Sequence, residues 1–143
     1  MSESIVIVGA KRTPIGGMNG QFVSLSSPQL AAVAIKSAVE QSGLQPKDIN
    51  EAILGCVLPA AVGQAPARQA ILGAGLLKTT ACATLNKVCG SGMKSAMLAY
   101  DQILAGSADV TSNMDQQCRL ADEDHQYQCK TTGPRNQVHK RLG

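Results

Sequence analysis

Tryptophan is absent from this sequence, and one phenylalanine and two tyrosines are its only aromatics. A core built from it must therefore rest on Ala, Val, Ile, Leu and Met, packed closely through its 14 glycines and many alanines. Charge is thin as well. Charged residues make up 16%, the formal net charge is +3, and Lys and Arg are scattered, so no basic stripe of the kind nucleic acid requires is present. Long apolar runs are also missing. Ile5-Val6-Ile7-Val8 is short and follows Glu3, unlike a secretory leader, and the stretch from Ile53 to Val62 is cut by Gly55 and Pro59, short of a membrane span. These absences lead us to expect a soluble, cytoplasmic protein with no membrane or nucleic-acid partner.

Paired cysteine spacing is lacking too. The five cysteines (Cys56, Cys82, Cys89, Cys118 and Cys129) form no C-x-x-C, and both histidines, His125 and His139, lie near the end of the chain, so no metal site is expected. In a reducing compartment these are free thiols, and most free cysteines are small buried hydrophobes. Cys56 and Cys82 fit that description within expected strands. Cys118 and Cys129 fall in a polar stretch, where accidental exposed thiols are expected, and His125, beside Asp122-Glu123-Asp124, reads as a solvated loop residue.

What is present is an apolar share of 44%, ample for a packed domain at this length. Ser4 to Val8 reads as a buried first strand ending at Gly9, and 11–20, with Pro14 and three glycines, as a loop. Val6 to Gly9 has a superficial likeness to a dinucleotide fold, but Ala10, Lys11 and Arg12 occupy the turn where its glycines belong. Ser27-Pro28 reads as an N-cap with proline at the first helical position, followed by Leu30, Ala31, Ala34, Ile35 and Ala38 at helical spacing, with Gly43 as the stop. A turn over 46–50, a second buried strand from Ile53 to Val57, a helix from Ala67 to Ala74 and a third strand from Ala83 to Val88 follow. Met93, Ala96, Met97, Tyr100 and Leu104 then mark one face of a helix over about 90–105, with Met93 and Met97 read as core packing. Strand alternating with helix indicates an α/β layered fold.

The chemistry-bearing stretch is Asn86-Lys87-Val88-Cys89-Gly90-Ser91-Gly92-Met93. It puts a cysteine between a strand and a mostly buried helix, followed by glycines that allow a tight turn and close ligand approach. A helix N-terminus presents unpaired N–H groups and the positive end of its dipole, which suits a sulfur acting as an anion and an oxyanion on a thioester carbonyl. Cys89 is thus a candidate acyl-accepting nucleophile. On the residues alone, a buried structural thiol stays open as the other reading.

This stretch resembles the signature around the nucleophile of the thiolase family. Val6 to Gly16, Leu54 to Gln69 and Ala105 to Val110 are similar, in order, to the family's opening strand and loop, its second strand and following helix, and its turn into the next strand. The G-Q-x-P-A-R-Q form at 63–69 resembles the short-chain, acetyl-CoA C-acetyltransferase type. The resemblance implies a thiolase-like layered α/β/α fold, of which residues 4–110 carry an incomplete N-terminal half. It also implies acyl transfer between coenzyme A thioesters through an acyl-Cys89, without metal or redox cofactor, in a family whose full-length members form homo-oligomers. The activating histidine, a second cysteine acting as acid and base, and an oxyanion-site asparagine belong to the family's later half. The related ketosynthases share the fold and a nucleophilic cysteine, but N-K-V-C-G-S-G favours thiolase. A non-catalytic interaction piece of thiolase origin is the rival from another class.

Residues 111–143 change character. Apolar residues number 8 of 33 there, against 55 of 110 before, and no hydrophobic period can be traced. A polar tail is expected, irregular and not family-like, such as a change of reading frame produces.

Overall fold

The computed structural model describes residues 4–17, 19–116 and 125–131. Its elements run β1 (Ile5–Arg12), α1 (Ser27–Ser42), a 3₁₀ turn (Pro46–Asp48), β2 (Glu51–Cys56), α2 (Pro66–Gly73), β3 (Ala81–Leu85), α3 (Ser91–Leu104), β4 (Val110–Gln116) and β5 (His125–Thr131). The five strands form one sheet in the order β1-β5-β4-β2-β3. β2 pairs in parallel with β3 and β4, and β5 pairs antiparallel with β4 and β1.

Helices cover both faces of this sheet. Ala52 and Leu54 of β2 join Ala31, Ala34, Ile35 and Val39 of α1 and Ala67, Ala70 and Ile71 of α2 in the main core. The residue between Leu54 and Cys56 points the other way, as the period of a strand requires. That residue is Gly55, and it meets the start of α3. The result is the expected helix–sheet–helix layering, with aliphatic and alanine side chains filling it.

α1 begins one residue earlier than the sequence suggests. Its N-cap is Ser26, whose backbone N–H donates to Gln29 Oε1 at 2.7 Å, the reciprocal half of a capping box that Ser27 lacks. Gly43 ends the helix in the left-handed region, at φ 70°, as expected. β1 and β3 are less buried than expected. Among the described residues they are the two edges of the sheet, so each has a strand neighbour on one side only, and Ile7 stays exposed. β1 also runs on to Arg12, which places Lys11 and Arg12 on the exposed end of a strand rather than in a loop.

The largest departure concerns the tail. Residues 110–116 form an interior strand paired along its length with β2, and Thr111, Ser112 and Asn113 are wholly buried. Residues 125–131 form the strand beyond it, so His125 and Cys129 lie in a strand and not in an irregular loop. Strand pairing satisfies backbone N–H and C=O groups whatever side chains they carry, which polarity alone does not reveal. Cys118 and His139 lie outside the described residues. Asn50 secures the start of β4: its Oδ1 accepts the N–H groups of Asp109 and Val110 at 3.0 and 2.9 Å.

Candidate active site

β3 ends at Leu85, and α3 begins at Ser91. Between them the chain reverses in a tight turn carrying Cys89, at the strand–helix junction the sequence predicts. Lys87 O accepts the N–H of Gly90 at 3.0 Å, and Val88 O accepts that of Ser91 at 3.1 Å. Val88 sits at φ 49°. A β-branched residue in that region costs about 1–2 kcal/mol, so the turn is held against a local preference.

Two side chains hold it. Asn86 Nδ2 donates to Val57 O at 2.9 Å, tying the turn to the end of β2, while its Oδ1 accepts the N–H of Val88 at 2.8 Å. Ser91, wholly buried, donates its hydroxyl to Val88 O at 2.7 Å and accepts the N–H of Lys87 at 2.9 Å. Asn86 and Ser91 were read from the sequence only as part of the motif around Cys89; the structure shows them as the clamps of the turn.

The backbone beneath the turn is equally constrained. A Cβ on Gly55 would stand 2.6 Å from Ser91 C and 2.8 Å from Gly92 N, so β2 and the start of α3 touch only because residue 55 has no side chain. The sequence signal for this contact was a glycine inside a buried strand. Arg68 and Gln69 clamp the neighbouring loops: Arg68 donates to Thr80 O and Lys78 O, and Gln69 to Val62 O and Gln64 O.

Cys89 itself is exposed. The first i→i−4 bond of α3 runs from Lys94 N–H to Gly90 O, so the N–H groups of Gly92 and Met93 lie ahead of that ladder. The arrangement offers a reachable sulfur beside a helix N-terminus, which is what acyl transfer asks of a nucleophile. α3 is not mostly buried, however. Ser91, Ser95, Ala99 and Ile103 pack inward, whereas Met93 and Met97 face out and are not core residues. Cys56 is buried, as expected, whereas Cys82, on the edge strand β3, is only half-buried. Among the described residues no three His, Cys, Asp or Glu side chains come together as a metal site, and no helix is long and apolar enough to cross a membrane.

Comparison with known proteins agrees with this geometry. The family described as "Thiolase, N-terminal domain" matches residues 5–114. The mitochondrial acetyl-CoA acetyltransferase of Bos taurus is 48% identical over 108 residues, covering 76% of this chain and 26% of that protein. The acetyl-CoA acetyltransferase of Chromobacterium violaceum is 49% identical over 106 residues, covering 74% and 27%. A thiolase from Ascaris suum, solved in complex with coenzyme A, superposes with a TM-score of 0.76 at 35% identity, over 78% of this chain and 29% of that one. The chain thus spans about a quarter of the length of the curated relatives it matches. With the thiolase-like layered α/β/α architecture in place and the match running through the turn that bears Cys89, the chain belongs to the thiolase family.

Proposed function

We propose that the chain carries the nucleophile of a thiolase-type acyltransferase, and that Cys89 accepts the acyl group. The observation that carries this reading is the placement of Cys89: exposed, on a strained turn clamped by Asn86 and Ser91, directly ahead of α3. In the first half-reaction the Cys89 thiolate attacks the carbonyl carbon of an acyl-CoA. The carbon–sulfur bond to coenzyme A breaks, coenzyme A leaves as a thiolate that takes up a proton, and acyl-Cys89 remains. In the second, acetyl-CoA deprotonated at its α-carbon attacks that thioester, expels the Cys89 thiolate and forms a 3-ketoacyl-CoA; thiolysis is the reverse. The scheme calls for no metal or redox group, since the coenzyme A thioesters are substrates. Relatives named acetyl-CoA acetyltransferase and a related thiolase holding coenzyme A support it. A reducing compartment, the cytoplasm in this reading, suits an exposed nucleophilic thiol.

Deprotonating acetyl-CoA needs a positioned base and a closed, dry site. The resemblance places those groups in the family's later half, so a polypeptide of these 143 residues alone accepts an acyl group without turning over. Isotope-labelled acetyl-CoA, acid quench and peptide mapping test this. Label is expected on the Cys89 peptide and absent from Cys89→Ala, with no condensation of acetyl-CoA or thiolysis of acetoacetyl-CoA. Label spread evenly over the other cysteines rules the assignment out. Turnover that Cys89→Ala abolishes would show that the missing groups are dispensable. A second reading, a non-catalytic interaction piece, is favoured by the apolar face of α3 that stands exposed among the described residues and predicts no label on any cysteine.

We also propose that from about residue 111, within the last four residues of the family match over 5–114, the chain becomes a non-family continuation arising from a reading-frame change. Thr111, Ser112 and Asn113 bury polar side chains in an interior strand, and among the described residues Thr111 Oγ1 has no hydrogen-bond partner. Read in the other two frames after codon 110, the encoding DNA should yield an apolar strand followed by further thiolase-like sequence. Early stops in both frames would end this proposal.

A further inference from the structure

α2 starts without a cap of its own. Its N-cap position is held by Ala65, at φ 49°, and Pro66 follows, so the first N–H of the helix that needs an acceptor belongs to Ala67. Ala67 is buried, and its acceptor comes from another element: Thr84 Oγ1 takes the N–H at 3.1 Å. Thr84 is the last residue but one of β3. Cys82, two residues earlier and so on the same face of the strand, packs against the core that α1, α2 and β2 share.

The next residue of the helix holds the other end of the strand. Arg68 donates to Lys78 O at 2.6 Å and to Thr80 O at 3.1 Å, so the first turn of α2 fixes β3 at both ends. In the sheet, among the described residues, β3 pairs only with β2. Beyond Leu85 the chain passes directly into Asn86, whose side chain is bonded to Val57 O and to Val88 N–H. A shift at the end of β3 therefore moves Asn86. Either its tie to Val57 breaks or the turn bearing Cys89 is pulled along. We propose that Thr84 is a positioning residue for Cys89: by accepting the N–H of Ala67 it fixes the end of β3 against the start of α2, and so sets where the turn begins. The effect on acyl transfer rests on Cys89 as the nucleophile; the effect on the turn does not. A strand asks for a β-branched side chain here but not for a hydroxyl, so Thr84→Val keeps the shape and removes the acceptor.

Residue-resolved amide exchange and uptake of label from acetyl-CoA, both on the full 143-residue chain, test the proposal with Thr84→Val and Thr84→Ser. In Thr84→Val the N–H of Ala67 should exchange roughly tenfold faster, and those of Lys87, Val88, Gly90 and Ser91 roughly threefold faster, while Ile35, buried inside α1, changes by less than about twofold. Acyl uptake should fall roughly fivefold, and alkylation of Cys89 by iodoacetamide should change by less than about threefold, since reach is kept and orientation lost. Thr84→Ser retains the oxygen and should bring every rate back to within about twofold of the unaltered chain. Faster exchange at Ala67 with the turn unchanged overturns the proposal and leaves Thr84 a cap of α2 alone. An equal rise at Ile35 overturns it too, because the hydroxyl then supports stability everywhere. So does unaltered acyl uptake beside a loosened turn. An unaltered chain that takes no label sinks the nucleophile reading instead, and the turn amides then decide this one.

Discussion

Replacing Gly55 by valine should lower the stability of the chain by about 3 kcal/mol, the upper part of the range for forcing atoms into a filled interior. The added Cβ would lie 2.6 Å from Ser91 C and 2.8 Å from both Gly92 N and Ser91 Cβ. None of these atoms ends a flexible side chain that can swing aside. Either β2 or the start of α3 must move, but β2 is held by its pairing with β3 and β4 and by the core on its opposite face, and the start of α3 by the hydrogen bonds of Ser91 to the turn. Gly55→Ala should already carry most of the loss, since the clash belongs to Cβ. Gly17→Ala, where nothing lies within 4 Å, is the control and should change stability by less than about 0.5 kcal/mol. Urea midpoints compare the three. A Gly55→Ala midpoint equal to that of the unaltered chain would mean that the strand and helix slide apart freely, and that the turn bearing Cys89 is not positioned from below.

Gly55 also marks what the sequence could and could not reveal. The helix α1 was legible because Pro28 at its start and Gly43 at its end bracket a clear apolar period. Only its cap was misplaced, since Ser26 and Ser27 look alike until Gln29 is seen to bond back to Ser26. β2 was legible as an apolar run, and Cys89 as a lone cysteine before Gly-Ser-Gly. Exposure was not legible wherever it depends on neighbours. β1 and β3 are apolar enough to be interior strands, and their edge positions come from topology. Met93 and Met97 recur like core residues, and nothing along the chain says that the small stripe of Ser91, Ser95, Ala99 and Ile103 meets the sheet instead. The strand at 110–116 was hidden for the opposite reason. Its side chains are polar, while its backbone is held by β2 on one side and β5 on the other. The clamping roles of Asn86 and Ser91 were invisible because polar side chains near a turn more often face solvent than bend back to the backbone.

Ser91→Ala should separate the clamp from the nucleophile it serves. The hydroxyl is wholly buried and acts in both senses at once, donating to Val88 O and accepting from Lys87 N–H. Its removal leaves the Lys87 N–H without that acceptor, at a cost of about 1–3 kcal/mol. Val88 O keeps the N–H of Ser91, so the turn loosens rather than unravels. Val88 is then free to leave its positive φ, a relaxation worth about 1–2 kcal/mol, and Cys89 turns with it. Misplacing a reacting atom by about 1 Å can cost a hundredfold in rate, so acyl uptake from labelled acetyl-CoA should fall at least tenfold. Alkylation by a small reagent such as iodoacetamide asks only that the sulfur be reachable. Cys89 is already exposed, so that rate should change by less than about threefold. The two rates together isolate orientation: a general loss of folding would raise alkylation at the buried Cys56 as well. Acyl uptake at the unaltered rate in Ser91→Ala would show that the clamp contributes stability alone, and that the orientation of Cys89 is set by the glycine turn without it.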